Sequence, residues 1–177
     1  MNTPSTIAQN KANNVGPKLG VIVVTHNRLK LLKECLEACF NQTIPFSKII
    51  VVDNASTDGT TEFLHTNTKI TALTFKKNIG GSGGFYEGLK FASEQTDLDY
   101  FLLIDDDAIL DKRYNEYILP HLIKDGLVAA SGTVITDDQI QTDHRCFNDY
   151  NYKSTCSQTN DYAKDYFDYD IATFCGL

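Results

Sequence analysis

Apolar positions along this chain fall into two patterns that take turns. Short unbroken runs, most of them rich in β-branched residues, are LGVIVVT (Leu19–Thr25), KIIVVD (Lys48–Asp53), KITALTF (Lys69–Phe75), YFLLID (Tyr100–Asp105) and GLVAASGTVI (Gly126–Ile135). Runs of this length and composition predict strands buried on both faces. Between them, apolar residues recur every three or four positions. In RLKLLKECLEACF, Leu32, Cys35, Leu36, Cys39 and Phe40 form one stripe, with Lys and Glu between them. That spacing predicts an amphipathic helix. TDGTTEFLHT, GGFYEGLKFASEQ and KRYNEYILPHLIKD predict three more. The first of these three has Asp or Thr available as its cap, and Pro120 in the last marks a kink or a break. Strands alternating with helices predict βαβ units, hence an α/β fold with a mostly parallel sheet flanked by helices.

The alternation divides the chain into three segments. Residues 1–18 are a polar tail rich in Asn, Thr and Ser. Residues 19–135 carry the alternating pattern. Residues 136–177 have no clear period and are rich in Asp, Asn and Tyr. They read as a long loop or irregular hairpin, followed by the apolar run IATFCGL, which reads as a strand cut short.

Composition narrows the function classes. The 177 residues carry 16 Lys and Arg against 23 Asp and Glu, a net charge of −7, which argues against a nucleic-acid partner. A phosphate-bearing ligand stays open, because a metal or backbone N–H groups can neutralise it locally. No apolar run approaches the roughly 18 residues that span a bilayer, and the first residues lack the apolar core of a signal peptide. The expected location is the cytoplasm. The five cysteines are odd in number and include no CxxC pair, so neither a zinc site nor a disulfide framework is expected. Cys35 and Cys39 fit the core stripe as small hydrophobes.

The candidate chemistry lies where strands end. In an open parallel sheet, ligands bind at the carboxyl ends of the strands. Here those ends carry THNR (Thr25–Arg28), DNASTDGT (Asp53–Thr60), NIGGSGG (Asn78–Gly84) and DDD (Asp105–Asp107). All four are polar, acidic or glycine-rich, and topology brings them to one edge. If the chain stays extended through DDD, Asp105 and Asp107 share a side and Asp106 points away. Two carboxylates on one side suit Mg²⁺ or Mn²⁺ held together with substrate phosphates, while a solvated turn that starts a helix is the other reading. Gly80, Gly81, Gly83 and Gly84 allow close backbone approach to a ligand or form a plain β–α connection. Asp53 could accept hydrogen bonds from a base or ribose, or cap a turn. His26 lies at the edge of this region. Arg28 either approaches the ligand or begins the helix. Tyr150, Tyr152, Tyr162, Tyr166 and Tyr169 could stack on a sugar or pack a long loop.

Taken together, VIVVTHNR, IIVVDNASTDGT and LLIDDDA resemble, in order and spacing, the nucleotide-binding half of family 2 glycosyltransferases, which have the GT-A (Rossmann-like) fold. NIGGSGGFYEG resembles a segment of galactofuranosyltransferases and some rhamnosyltransferases. The resemblance implies a donor-binding core at residues 19–135 and the start of an acceptor-side region at 136–177. It implies a site of Thr25, Asn27, Arg28, Asp53, Asn54, Asn78, Gly80, Gly81, Asp105 and Asp106. Thr25 and Asn27 border the base, Asp53 binds uracil or thymine, and Asn78, Gly80 and Gly81 line the nucleoside or sugar. Asp105 and Asp107 are the implied ligands of Mn²⁺ or Mg²⁺.

The implied reaction is inverting transfer from a nucleotide-diphosphate sugar to a glycan or lipid-linked acceptor, with a peripheral contact at the inner face of the plasma membrane compatible with it. No residue matches the family's base. Asp161, Asp165, Asp168 and Asp170 are available, but the expectation is a base beyond Leu177, in a chain truncated at its C-terminus. Two other readings stay open: a nucleotide-sugar-binding module without catalysis, and a nucleotidyltransferase. The sequence does not specify the donor sugar, the acceptor or the oligomeric state.

Overall fold

The computed structural model describes residues 16–124, 130–142, 145–148, 154–156, 158–163 and 171–172. Four predicted strands form: β1 (Leu19–Thr25), β2 (Lys48–Asp53), β3 (Thr71–Thr74) and β4 (Tyr100–Asp105). They make one parallel sheet in the order β3-β2-β1-β4. Helices α1 (Leu29–Phe40), α2 (Thr60–Thr66) and α3 (Gly80–Gln95) connect them, and α4 (Tyr114–Lys124) follows β4. The expected α/β architecture is therefore present.

Alternation along β1 shows why the runs are apolar throughout. Val21 and Val23 pack with Leu32, Cys35 and Leu36 of α1, while Ile22 and Val24 join Ala92 of α3 in a second cluster. Successive side chains point to opposite faces, and both faces are covered. All seven residues of β1 are buried, at roughly 1.5–3 kcal/mol of stabilisation for each large apolar side chain. Cys35 and Cys39 are free thiols in this core, as their stripe predicts.

Of the two readings of the glycine-rich segment, the plain connection does not describe it. It is not an open connection: α3 starts at Gly80, and of its glycines only Gly80 has a positive φ, +78°. Close packing on the sheet accounts for Gly84 and Gly88, whereas a Cβ at Gly80 or Gly81 would meet open space. A Cβ at Gly84 would stand 2.7 Å from Val24 Cγ1, and one at Gly88 would stand 2.6 Å from Ile22 Cγ2. Gly84, Gly88 and Ala92 form a buried row at helical spacing, and this row lets α3 lie directly on β1 and β2.

The expected fifth strand over Gly126–Ile135 does not form as one unit. Residues 125–129 lie outside the described part, and 130–134 have no regular structure. Ile135–Thr136 (β5) instead pairs antiparallel with Gln139–Ile140 (β6). Asp137 and Asp138 both have positive φ between them, at 50° and 59°, the geometry of a two-residue hairpin turn that splits the apolar run from its continuation. Three short strands, β7 (Arg145–Asn148), β8 (Ser154–Cys156) and β9 (Ile171–Ala172), form a separate antiparallel sheet. At Pro120 the helix neither stops nor breaks, and α4 continues with Leu119 and Leu122 buried. Among the described residues, no helix is long and apolar enough to cross a membrane.

Candidate functional site

The sheet register places the strand ends side by side. Thr25 pairs with Asp53, Asp53 with Thr74, and Val24 with Asp105. The four segments that the sequence assigns to one edge do meet there, and side-chain hydrogen bonds tie them together.

The first tie joins the loops after β1 and β2. Asn27 takes a positive φ of 55°, and its Oδ1 accepts from the Thr57 N–H at 2.6 Å. Its own N–H donates to Ser56 Oγ at 2.9 Å. Asp58 then holds two helix starts. Its Oδ2 accepts from the Leu29 N–H at the head of α1, and its Oδ1 accepts from the N–H and hydroxyl of Thr60 at the head of α2. The Thr60 hydroxyl, followed by the Leu29 N–H, holds the Asp58 carboxyl below its ordinary pKa.

Asp53 is fully buried. Its Oδ1 accepts from the Ser56 N–H at 2.9 Å and its Oδ2 from the Thr61 hydroxyl at 2.5 Å. The turn between them carries Ala55 at φ 66°, in the left-handed region. Asn54, also buried, reaches the third segment: its Oδ1 accepts from the Ile79 N–H at 2.8 Å, and its Nδ2 donates to the Gly80 carbonyl at 3.0 Å. Asn78 Oδ1 accepts from the Gly80 N–H at 2.8 Å. Two asparagines thus shape the entry to α3. Gly81 is exposed, with open space around the position of a Cβ.

The acidic triplet differs from the extended geometry. β4 ends at Asp105, the next two residues turn, and the Ala108 N–H donates to the Asp105 carbonyl at 3.2 Å. Asp106 therefore does not point away from the site: it is buried, and its Oδ2 accepts from the Thr25 hydroxyl at 2.6 Å. Arg28 Nη1 donates to Asp106 Oδ1 at 3.2 Å and to Asp107 Oδ2 at 2.9 Å. An in-chain cation thus partners the second and third aspartates. Asp105 is left over: its Oδ2 is buried without a hydrogen-bond partner among the described residues. Burial, then the charges of Asp107 and Asp106, push its carboxyl up to about 6.

That orphaned oxygen is a fit for a cation. Among the described residues no cluster of three His, Cys, Asp or Glu side chains makes a ready cage. A hard cation of the Mg²⁺ type needs none, since it keeps several waters and binds one or two carboxylates plus substrate phosphates.

Of the expected site residues, Thr25, Arg28, Asp106 and Asp107 touch directly, and Asn54, Asn78 and Gly80 form a second group. His26 is exposed beside Asn27. Asp161 and Tyr162 lie in a short 3₁₀ helix (Thr159–Ala163). Asp165, Asp168, Asp170, Tyr150, Tyr152, Tyr166 and Tyr169 lie outside the described residues. Sequence reasoning missed Ser56, Thr57, Asp58 and Thr61 as organisers. The available signal was the run STDGT, whose residue types favour caps and turns.

Residues 20–176 match the family described as glycosyl transferase family 2. A galactofuranosyltransferase, GlfT1 of Mycolicibacterium smegmatis, is 38% identical over 89 residues, covering 49% of this chain and 29% of that protein. An uncharacterised glycosyltransferase of Bacillus subtilis, YwdF, is 33% identical over 91 residues, covering 51% of this chain and 32% of that one. The matched part thus spans about a third of the length of these relatives. Among solved structures, TarS 1–349 of S. aureus in complex with UDP superposes with a TM-score of 0.53 at 25% identity, covering 60% of this chain and 32% of that chain.

Proposed function

The chain belongs to glycosyl transferase family 2, and from that premise we propose that it binds a pyrimidine nucleotide-diphosphate sugar and serves transfer of the sugar to an acceptor hydroxyl, with the nucleotide diphosphate as leaving group. The observation that carries this reading is the convergence of four strand ends on an acidic turn with one unsatisfied buried carboxylate oxygen. The acceptor class is a glycan or a lipid-linked glycan, reached in the cytoplasm or at the inner face of a membrane. A UDP or dTDP donor is favoured, with galactofuranose or rhamnose as the sugar. Support comes from the name of one relative and from the UDP in one structural neighbour.

Each group of residues has a distinct task. Asn27, Ser56 and Thr57 hold two loops together at the base pocket, and Asp53 anchors the turn that presents its backbone there. Asn54 and Asn78 set the entry to α3, where Gly80 leaves room for the nucleoside or sugar. Asp106, held by the Thr25 hydroxyl, fixes the acidic turn. Asp105 and Asp107 would hold Mn²⁺ or Mg²⁺. When bound, such an ion stabilises a departing diphosphate as a Lewis acid. Transfer is of the inverting kind in this reading, with a carboxylate taking the hydroxyl proton.

Asp107→Ala tests the core of this reading. Its side chain is half-exposed, so the fold should survive, with a melting point near that of the parent. Calorimetry with UDP or dTDP, with and without Mn²⁺, should show metal-dependent binding in the parent chain and its loss in the variant. Metal dependence that is unchanged in the variant would overturn the assignment. Turnover of a radiolabelled nucleotide sugar separates an enzyme from a binding module.

A further inference from the structure

We propose that Arg28 is the resident counter-ion of the acidic turn, which yields Asp107 when a divalent cation arrives and then turns to the donor's diphosphate. This rests on the donor-site reading above.

The geometry sets the two aspartates apart. Both ionic contacts of Arg28 run through the same nitrogen, Nη1. Asp106 is 4% exposed at its side chain and is also held by Thr25, so it is a fixed anchor. Asp107 is 45% exposed, and among the described residues its hydrogen bond and ion pair are with Arg28 alone. Release of Asp107 therefore breaks one half-exposed ion pair, worth little in water. Release of Asp106 would leave a buried carboxylate short of a partner, which costs far more. Arg28 can thus give up Asp107 and remain held on Asp106.

Three carboxylates in sequence repel one another, and one guanidinium offsets part of that. Asp105 and Asp107 would hold a divalent cation, which would supply the same neutralisation. Arg28 would then compete with that cation for Asp107 while keeping its contact with Asp106. The Arg28 side chain is half-exposed, and its planar fork has donors beyond Nη1. A freed fork beside a loaded metal site is suited to phosphate oxygens.

The test compares the parent chain with Arg28→Gln and Arg28→Lys, using Mn²⁺ alone and then UDP at saturating Mn²⁺. Free Mn²⁺ is read by electron paramagnetic resonance, UDP binding by calorimetry and stability by melting. In Arg28→Gln, Mn²⁺ should bind about tenfold tighter without nucleotide, because a competing charge a few ångströms away is gone. UDP should bind about tenfold weaker at saturating Mn²⁺, because a phosphate donor is gone. The melting point without metal should fall, and Mn²⁺ should raise it more than in the parent. Arg28→Lys, which keeps the charge but not the fork, should retain the parent's Mn²⁺ affinity and lose part of the UDP affinity.

Equal Mn²⁺ affinity in the parent and in Arg28→Gln, with a lower melting point alone, would make Arg28 a structural ion pair and overturn the proposal. Mn²⁺ binding by neither form would overturn both the proposal and the donor-site reading beneath it. Mn²⁺ and UDP binding that both ignore Arg28 would overturn the proposal and leave that reading standing.

Discussion

Single residues at this site act mostly on backbone rather than on one another. Asp58 is the clearest case, because one carboxylate accepts from the first N–H of α1 and from the N–H and hydroxyl of Thr60. Helix starts leave N–H groups without partners, and a capping oxygen satisfies them. Asp58→Asn keeps one oxygen and loses the charge, so it should destabilise the chain by ~1 kcal/mol at pH 7. The sign of the pH dependence follows from the pKa. The folded value lies below the unfolded one. The stabilisation is therefore present above the ordinary carboxylate pKa and is lost as pH falls through the lower, folded value. In urea melts of both forms from pH 7 downward, the gap should narrow once pH falls below the ordinary carboxylate range. A gap that stays constant across that range would count against the charge as its source.

At the scale of an element, α3 explains the glycines better than a loop does. Gly84 and Gly88 face the sheet with no room for a Cβ, whereas Gly81 faces open space. Gly84→Ala must push α3 off Val24, and a cost of about 1–3 kcal/mol is expected from overpacking. Gly81→Ala, in a helical turn without contacts, should be neutral or stabilising by about 0.5–1 kcal/mol. Melting curves of the two single variants decide between packing and flexibility as the reason for the glycine run. Equal losses at the two positions would refute the packing account.

For the molecule as a whole, stability is concentrated in the middle of the sheet. β1 is paired on both sides and buried on both faces, while β3 and β4 each pair with one neighbour among the described residues. Phe101, Leu102 and Leu103 of β4 are only partly buried, in contrast to Val21, Ile22 and Val23. Hydrogen exchange should therefore show the slowest amides in β1 and β2 and faster exchange in β3 and β4. The loops after β1 and β2 therefore start from the most protected strands, and through Thr25, Arg28 and Asn54 they hold the segments that follow β4 and β3. Slower exchange in β4 than in β1 would contradict this distribution.

The hydrophobic pattern by itself determined the four sheet strands, the four helices and the edge at which polar segments collect. Those features follow from local periodicity, which each segment carries alone: a run of apolar residues must be covered on both faces wherever it sits. The parallel alternation then leaves little freedom in where strand ends fall. Local pattern was silent on what the polar residues bind. DDD reads as an extended ligand set, yet a turn after Asp105 sends Asp106 to Thr25 and shares Arg28 with Asp107. NIGGSGG leaves open a ligand approach or a plain connection, yet it starts a helix whose Gly84 is packed against Val24 while Gly80 and Gly81 meet open space. The apolar run ending at Ile135 reads as one strand, yet residues 130–134 have no regular structure and Ile135 pairs with Ile140 across the turn at Asp137 and Asp138. Each of these outcomes depends on a partner some 26 to 81 residues away or on a turn's dihedral angles. Only tertiary structure supplies them, because a carboxylate, a glycine or an asparagine takes its role from the donors and the space that the fold brings to it.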